Sequence, residues 1–463
     1  MKPRKPPPEQ DDLLRARLVE MIDMRHELVK LAALIDWEVF EREWAGLFPS
    51  PVGRPATPTR LVAGLFYLQH AFRLSDEAVV ARWAENPYWQ HFCGETFFQH
   101  RLPIDPSSMT RWRNRIGEEG VEWLLTETIR AGQRAGTVQD DHLKKVTVDT
   151  TVMEKNIAHP TDARLYERAR RKLVGLAREA GIDLRQNYNR LGPRLSGQVG
   201  RYAHARQFKR MRKALRRLKG YTGRVLRDIE RQMDKVAEGP LKARIAEVTA
   251  LVNRLLAQKP KDRKKLYSLH EPAVDCISKG KAHKRYEFGV KVGVVACLKK
   301  PFILAAHALP GRPYDGHTLM RSLAQATLNT GIPIKTAVAD KGYRGHQTWP
   351  GAKVILPGQR SSTSAERRWR RTRLRRRSVI EALIGHMKVD GLMDRNWLKG
   401  TAGDAMHAIL CAAGQNLRLL LRAIAAFLRL DLRAVLEGFK SFRWLLRDPT
   451  RNHRAAAVGL CAC

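Results

Sequence analysis

VTVDTTV, residues 146–152, sets one carboxylate into an alternating run of β-branched residues. Valine and threonine suit the pleated surface of a strand. A period of two puts Val146 and Val148 on one face and Asp149 on the other, beside Thr147 and Thr151. An ionised carboxylate buried without a partner costs several kcal/mol or takes up a proton, so a nearby cation is its natural relief. The alternative is an edge-strand aspartate facing water.

Strands resume downstream at RYEFGVKVGVVAC, where Phe288, Val290, Val292 and Val294 share one face, and at FILAAHAL, with a hairpin turn at Leu298 to Pro301. PYDGHTLMRSLAQATLNTG reads as a turn and then a helix, IKTAVAD and GAKVILP as short strands, and SAERRWRRTRLRRRSVIEALIGHMK as a closing helix. This order predicts an α/β fold, a mixed sheet flanked by helices. Between about 160 and 265 the chain reads instead as a strongly cationic helical insertion, either a solvated face or a surface for phosphates.

Upstream, helices are predicted through residues 10–47, in TRLVAGLFYLQHAF, in DEAVVARWAEN capped by Ser75, and in SSMTRWRNRIG. The last presents Arg111, Arg113 and Arg115 with Trp112. These helices fit a helix-turn-helix entering a major groove, or equally a dimerisation bundle with a basic face.

Composition narrows the partner class. Lys plus Arg number 85 against 46 Asp plus Glu, a formal charge of +39, and the isoelectric point is about 10.6. A chain so basic needs a polyanion, and its 43% hydrophobic content excludes a disordered basic tail. No run reaches the roughly 18 uncharged apolar residues of a membrane span. The nearest candidate, around residues 404–430, is interrupted by Arg418, Arg422 and Arg429. MKPRKPPPEQ lacks the apolar core of a secretory signal, so a cytoplasmic protein is expected. The six cysteines form no zinc-finger spacing; Cys461 and Cys463 in the terminal CAC read as a frayed tail.

Two further acids join Asp149. Asp340 in AVADKGYRG follows an apolar run and precedes Gly342 and Gly345, which permit a tight turn close to a ligand, although DKG is also an ordinary turn. Glu381 in RRRSVIEALIGHMK lies at the margin of the stripe Ile380, Leu383, Ile384 and Met387, aligned with Arg377 and Lys388. That alignment suits a surface salt-bridge ladder or a metal ligand between phosphate clamps. Mg²⁺ prefers oxygen ligands, and three carboxylates can hold two ions at the roughly 3.5–4 Å separation used in phosphodiester chemistry. Asp315, in PYDGHTL, competes with Asp340 for the second place, but Asp-Gly is a common turn pair and Asp315 precedes a helix. His317 beside it reads as a capping or packing residue.

With these motifs in hand, FEREWAGLFPSPVGRPATPTRLVAGLFYLQHAFRLSDEAVVARWAENPYWQHFCGE, LPIDPSSMTRWRNRIG, KGKAHKRYEFGVKV, ALPGRPYDGHTL, ADKGYRGH, RRRSVIEALIGHMK and DRNWLKG together resemble bacterial insertion-sequence transposases of the DDE class, in the branch of insertion sequence five with an InsH-like N-terminal domain. The resemblance covers about residues 35–150 and 270–425. It implies an RNase H-like core in which Asp149, Asp340 and Glu381 are the catalytic acids and bind two Mg²⁺ ions, with Mn²⁺ as a substitute. Arg377 and Lys388 fit the family's late signature as phosphate-binding residues, but its tyrosine position is Leu374 here. The implied partners are double-stranded DNA, both terminal inverted repeats and target, and a second copy of the chain in the DNA complex, with no membrane. The implied location is cytoplasmic, at the nucleoid. The N-terminal helices would read the repeats, with Arg111 and Arg113 as contacts. The expected division is an N-terminal helical arm (1–50), a helical DNA-binding domain (51–140), a catalytic domain (141–160 and 270–400), a basic helical insertion (161–269) and a C-terminal helical tail (401–463).

Overall fold

The computed structural model describes residues 15–47, 56–278, 284–345, 351–361 and 363–447. The proline-rich opening and the terminal cysteines lie outside them. The N-terminal segment, read as helical through residues 10–47, forms short helices at Leu18–Met21 (α1), Glu27–Leu34 (α2) and Glu38–Glu43 (α3). Thr59–Ala71 (α4), Asp76–Glu85 (α5), Pro87–Phe92 (α6), Pro106–Arg134 (α7) and Asp140–Leu143 (α8) follow. Ser75 caps α5 by accepting the Ala78 amide, as its position predicts. The predicted short helix at SSMTRWRNRIG is the first part of α7, which continues past a kink at Gly117, φ 64°.

Lys145–Lys155 (β1) is central in the sheet. On one side it pairs antiparallel with Glu287–Cys297 (β3), whose far edge carries Ile303–Leu309 (β4) and the short Asp275–Ile277 (β2). On the other side β1 runs parallel to Thr336–Val338 (β5), which runs parallel to Lys353–Ile355 (β6). Asp315–Thr330 (α13) packs across β3 and β4. The arginine-rich stretch predicted as one helix is two, Ser364–Arg376 (α14) and Ser378–Val389 (α15), broken at Arg377. Arg395–Asn396 (β7) returns beside the end of β1.

The last helix, Gly400–Arg447 (α16), takes up most of the stretch expected to be a C-terminal helical tail. Ala408 to Ala413 are buried, and the helix packs against α4, α7 and β4. Over Gly400–Arg429 it is long and apolar enough to cross a membrane, yet most of that stretch is buried in the protein. Gly414 makes the approach possible: a Cβ there would come within 2.6 Å of the His70 carbonyl. One contiguous apolar core runs through α2 to α7, the sheet and α16, so the N-terminal helices and the sheet are not separate units.

Between β1 and β2 lie Asp162–Glu179 (α9), Leu191–His204 (α10), Phe208–Glu230 (α11) and Pro240–Ala257 (α12). They pack substantially only on one another. Leu173, Leu218, Val225, Ile229, Ile245 and Val252 belong to a second core of their own. Inside it Arg170 pairs with Glu167 at 2.6 Å, both nearly inaccessible.

Candidate active site

Period-two alternation and a neighbour on each edge place Asp149 in mid-sheet. Its Oδ1 accepts the Thr150 amide at 2.7 Å, and its side chain keeps 18% exposure. In the parallel pairing Thr147 lies opposite Val338. Two residues on from each, Asp149 and Asp340 therefore leave neighbouring strands at matching heights, with strands roughly 4.8 Å apart. Asp340 turns the chain into a 3₁₀ turn at Lys341–Tyr343, its Oδ1 accepting the Gly342 amide at 2.8 Å.

Asp315, set second to Asp340 in the sequence, is brought in as well. From the first turn of α13 its Oδ1 accepts the Thr150 hydroxyl at 3.0 Å and Lys291 Nζ at 2.8 Å. Gly342 lies between the two carboxylates: a Cβ built there would meet Asp340 Oδ1 at 3.0 Å and Asp315 Oδ2 at 3.3 Å. The Tyr343 hydroxyl lies buried near the same group. Burial, and then the charges of Asp315, Asp149 and Asp340, hold its pKa well above that of an ordinary phenol. His317, nearby, sets its ring edge-on to Tyr314 at 5.5 Å.

Glu381 stands further out, with 59% side-chain exposure, and Arg377 ties it to the strand acid. The guanidinium places Nη2 2.7 Å from Glu381 Oε1 and Nη1 3.6 Å from Asp149 Oδ2. Lys388, also on α15, donates to the Val152 carbonyl of β1 at 2.6 Å. Leu374, at the family's tyrosine position, packs toward Val338 and Ile355 and supplies no hydroxyl.

Asp149, Asp315 and Asp340 bring carboxylate oxygens, the ligand type hard divalent cations prefer, to the same end of the sheet, linked through Thr150 and Gly342, with Glu381 further out on α15. The space over Gly342 that a side chain would fill is consistent with an ion held there. Among the described residues, the group of three ligand side chains whose donor atoms all lie within 4.8 Å of one another is His70, His407 and Cys411, buried between α4 and α16. Burial and neighbouring charges keep His70 well below the ordinary imidazole range and His407 at about 4. Those neighbours include Arg113, Arg418 and Lys155, so a further cation would meet repulsion, and we read the cluster as packing.

The two N-terminal arginines part company. Arg111 lines a cleft of about 790 Å³ with Arg101, Arg115 and Ser108. Arg113 is 4% exposed and paired with Asp76, donating to its Oδ1 at 3.0 Å. In this structure its guanidinium is committed to a partner within the protein, whereas Arg111 borders the cleft. The pattern was available, since Met109, Trp112, Arg113 and Ile116 follow the spacing of one buried helical stripe.

A sequence profile described as "Transposase domain (DUF772)" matches residues 16–115, and one described as "Transposase DDE domain" matches residues 258–417. The second takes in Asp315, Asp340 and Glu381; Asp149 precedes it, across the insertion. A Rhizobium meliloti protein described as "Uncharacterized protein ORF8 in nfe locus" is 52% identical over 208 residues, which is 45% of this chain and 100% of that protein. No solved structure matches the chain. The two transposase matches, together with the gathered carboxylates, place the chain in the family of DDE-type insertion-sequence transposases.

Proposed function

We propose that the chain binds the terminal inverted repeats of its element, cleaves the element ends and joins the freed 3′ ends to target DNA. The observation that carries this is the register-matched pair Asp149 and Asp340 on adjacent parallel strands, with Glu381 tethered to Asp149 through Arg377. Strands β4, β3, β1, β5 and β6 in spatial order, the first three antiparallel and the last two parallel to β1, support an RNase H-like reading of the sheet. Residues 141–160 and 270–400 would be the catalytic part, and the N-terminal helices, with Arg111 and Arg115 at their cleft, the part that reads the repeats.

The family's chemistry implies divalent metal; Asp149, Asp340 and Glu381 would hold two Mg²⁺ ions, or Mn²⁺ in their place, with Asp315 beside them. When bound, such ions sharpen the attacking oxygen and offset charge on the leaving one. The protein's own part is positioning. Arg377 holds the acids in reach of one another and exchanges a carboxylate for a phosphate oxygen as DNA enters. Lys388, anchored on β1, fixes α15 against the strand and offers a second phosphate contact. Water attacks first, and the freed 3′ hydroxyl then attacks target DNA at the same acids. Two copies of the chain would pair the two ends, in the cytoplasm at the nucleoid.

Incubating the protein and Mg²⁺ with a pre-nicked element end and a target duplex tests this reading. Joined product is expected. Cleavage without joining would support a metal-dependent endonuclease instead, and binding without either product a DNA-binding protein.

A further inference from the structure

From Asp183 to Asp228 the chain has fourteen Lys and Arg and no acid between those two residues. The charge is concentrated where α10 turns into α11. Lys209, Arg210, Arg212, Lys213, Arg216 and Arg217 are exposed, while Ala214, Leu218, Val225 and Ile229 on the opposite face are buried in the insertion's core. Elsewhere in the insertion several cations have acidic partners: Arg170 with Glu167, Arg231 with Asp228, Lys242 with Glu238 and Arg244 with Glu179. Among the described residues no carboxylate pairs with any cation from Arg201 to Lys219; Arg210 and Arg212 reach only Gln207 and the Phe208 carbonyl. Like charges crowded at i, i+3 and i+4 repel one another. At the turn itself Phe208 is 53% exposed in the midst of them. The insertion's helices pack on one another beneath it, which holds the turn in place.

We propose that this α10–α11 turn is a DNA-gripping surface separate from the N-terminal helices: its cations hold the phosphate backbone of a duplex, and Phe208 makes an apolar contact with a base or sugar. The proposal rests on the transposase reading for its biological setting, but not for its chemistry. From Lys209 to Arg217 the helix rises roughly 12 Å. At one charge per roughly 1.7 Å of duplex axis, that length lies opposite roughly seven phosphates. Four contacts are within its means. Among the described residues of the insertion, Leu191 and Phe208 are the large apolar side chains that stand exposed, fewer than a broad apolar docking patch needs.

The test measures affinity for a random-sequence duplex across a salt series, using the full chain and three variants whose helicity is checked by circular dichroism. The first carries Lys209→Gln, Arg212→Gln, Lys213→Gln and Arg216→Gln. Its plot of log affinity against log salt should be shallower by about 0.9 for each phosphate no longer neutralised, and its affinity near ~0.1 M salt lower by on the order of 10²-fold or more. Phe208→Ala should weaken binding roughly tenfold and leave the slope unchanged. Lys242→Gln with Arg244→Gln, removing two paired cations of the same insertion, should change neither. An unchanged slope in the first variant, or an equal loss per charge in the third, would overturn the proposal. Cleavage and joining by the unsubstituted chain are scored separately: their absence, with the salt effect present, would count against the transposase reading alone.

Discussion

Gly342→Ala probes the acid cluster with a single methyl group. The glycine is not in the left-handed region, so alanine adopts its backbone without strain, and the amide that caps Asp340 is kept. What changes is the space between two carboxylates. The new Cβ lies 3.0 Å from Asp340 Oδ1 and 3.3 Å from Asp315 Oδ2, closer than carbon and oxygen normally pack, so both oxygens must yield by a few tenths of an ångström. Relaxation of that kind costs about 1 kcal/mol of stability, the low end for an inserted methyl. Catalysis should suffer more. A misplacement of about 1 Å costs on the order of 10²-fold, so a shift of a few tenths, with one side of each carboxylate covered, should slow strand cleavage roughly tenfold. The loss should be largest at limiting Mg²⁺. Cleavage of a labelled element end over a Mg²⁺ titration, with a thermal melt of the same sample, reads both quantities. A folded variant with the parent's rate and metal dependence would refute the placement of a cation beside Gly342.

Three further outcomes follow from the same geometry. Asp315→Asn should lower cleavage by at least about tenfold with DNA binding intact, since it removes charge from the donor set while an amide can still accept from Thr150 and Lys291; parental activity would return Asp315 to a capping role. Arg113→Ala should cost about 2 kcal/mol of stability in a denaturant titration, because it removes the charged partner of Asp76 and leaves that carboxylate only the Gln69 and Thr110 hydrogen bonds, and should leave the salt dependence of DNA binding unchanged. Glu122 is pushed up to about 7, first by burial. Its folded state thus holds the proton more tightly than the unfolded chain, so the stability it contributes is full below its ordinary 4.5 and is lost as pH rises through about 7. Glu122→Gln should flatten that decline and leave the variant more stable at pH 8 by on the order of 2 kcal/mol; parallel stability curves from pH 4 to 8 would contradict it.

Much of this is legible because short apolar runs rich in β-branched residues mark strands, here strands buried on both faces. VTVDTTV, the β3–β4 hairpin and IKTAVAD announced their strands, and Asp149 and Asp340 were found where those strands place them. Asp315 was set aside because Asp-Gly is good turn chemistry; what brings it in is a contact from α13 to Thr150, 165 residues away, which local pattern cannot report. Arg113 shares a helical face with Met109, Trp112 and Ile116, and that stripe, rather than its charge, accounts for its burial against Asp76. The arginines of α16 obscured its burial. Arg418 is 9% exposed, its guanidinium donating to the His70 carbonyl at 2.8 Å and to Gln415, so a cation that reads as solvent-facing is a tie between α16 and α4.

The central claim, that the strand carboxylates are metal ligands, is tested most directly by exchanging oxygen for sulfur. Asp149→Cys and Asp340→Cys each put a soft ligand where Mg²⁺ requires a hard one, while Mn²⁺ tolerates the exchange better. Strand cleavage by each folded variant should be lost in Mg²⁺ and recovered in part in Mn²⁺, with element-end binding unchanged in both. Full cleavage in Mg²⁺ would contradict the account, and so would an equal and complete loss in both metals.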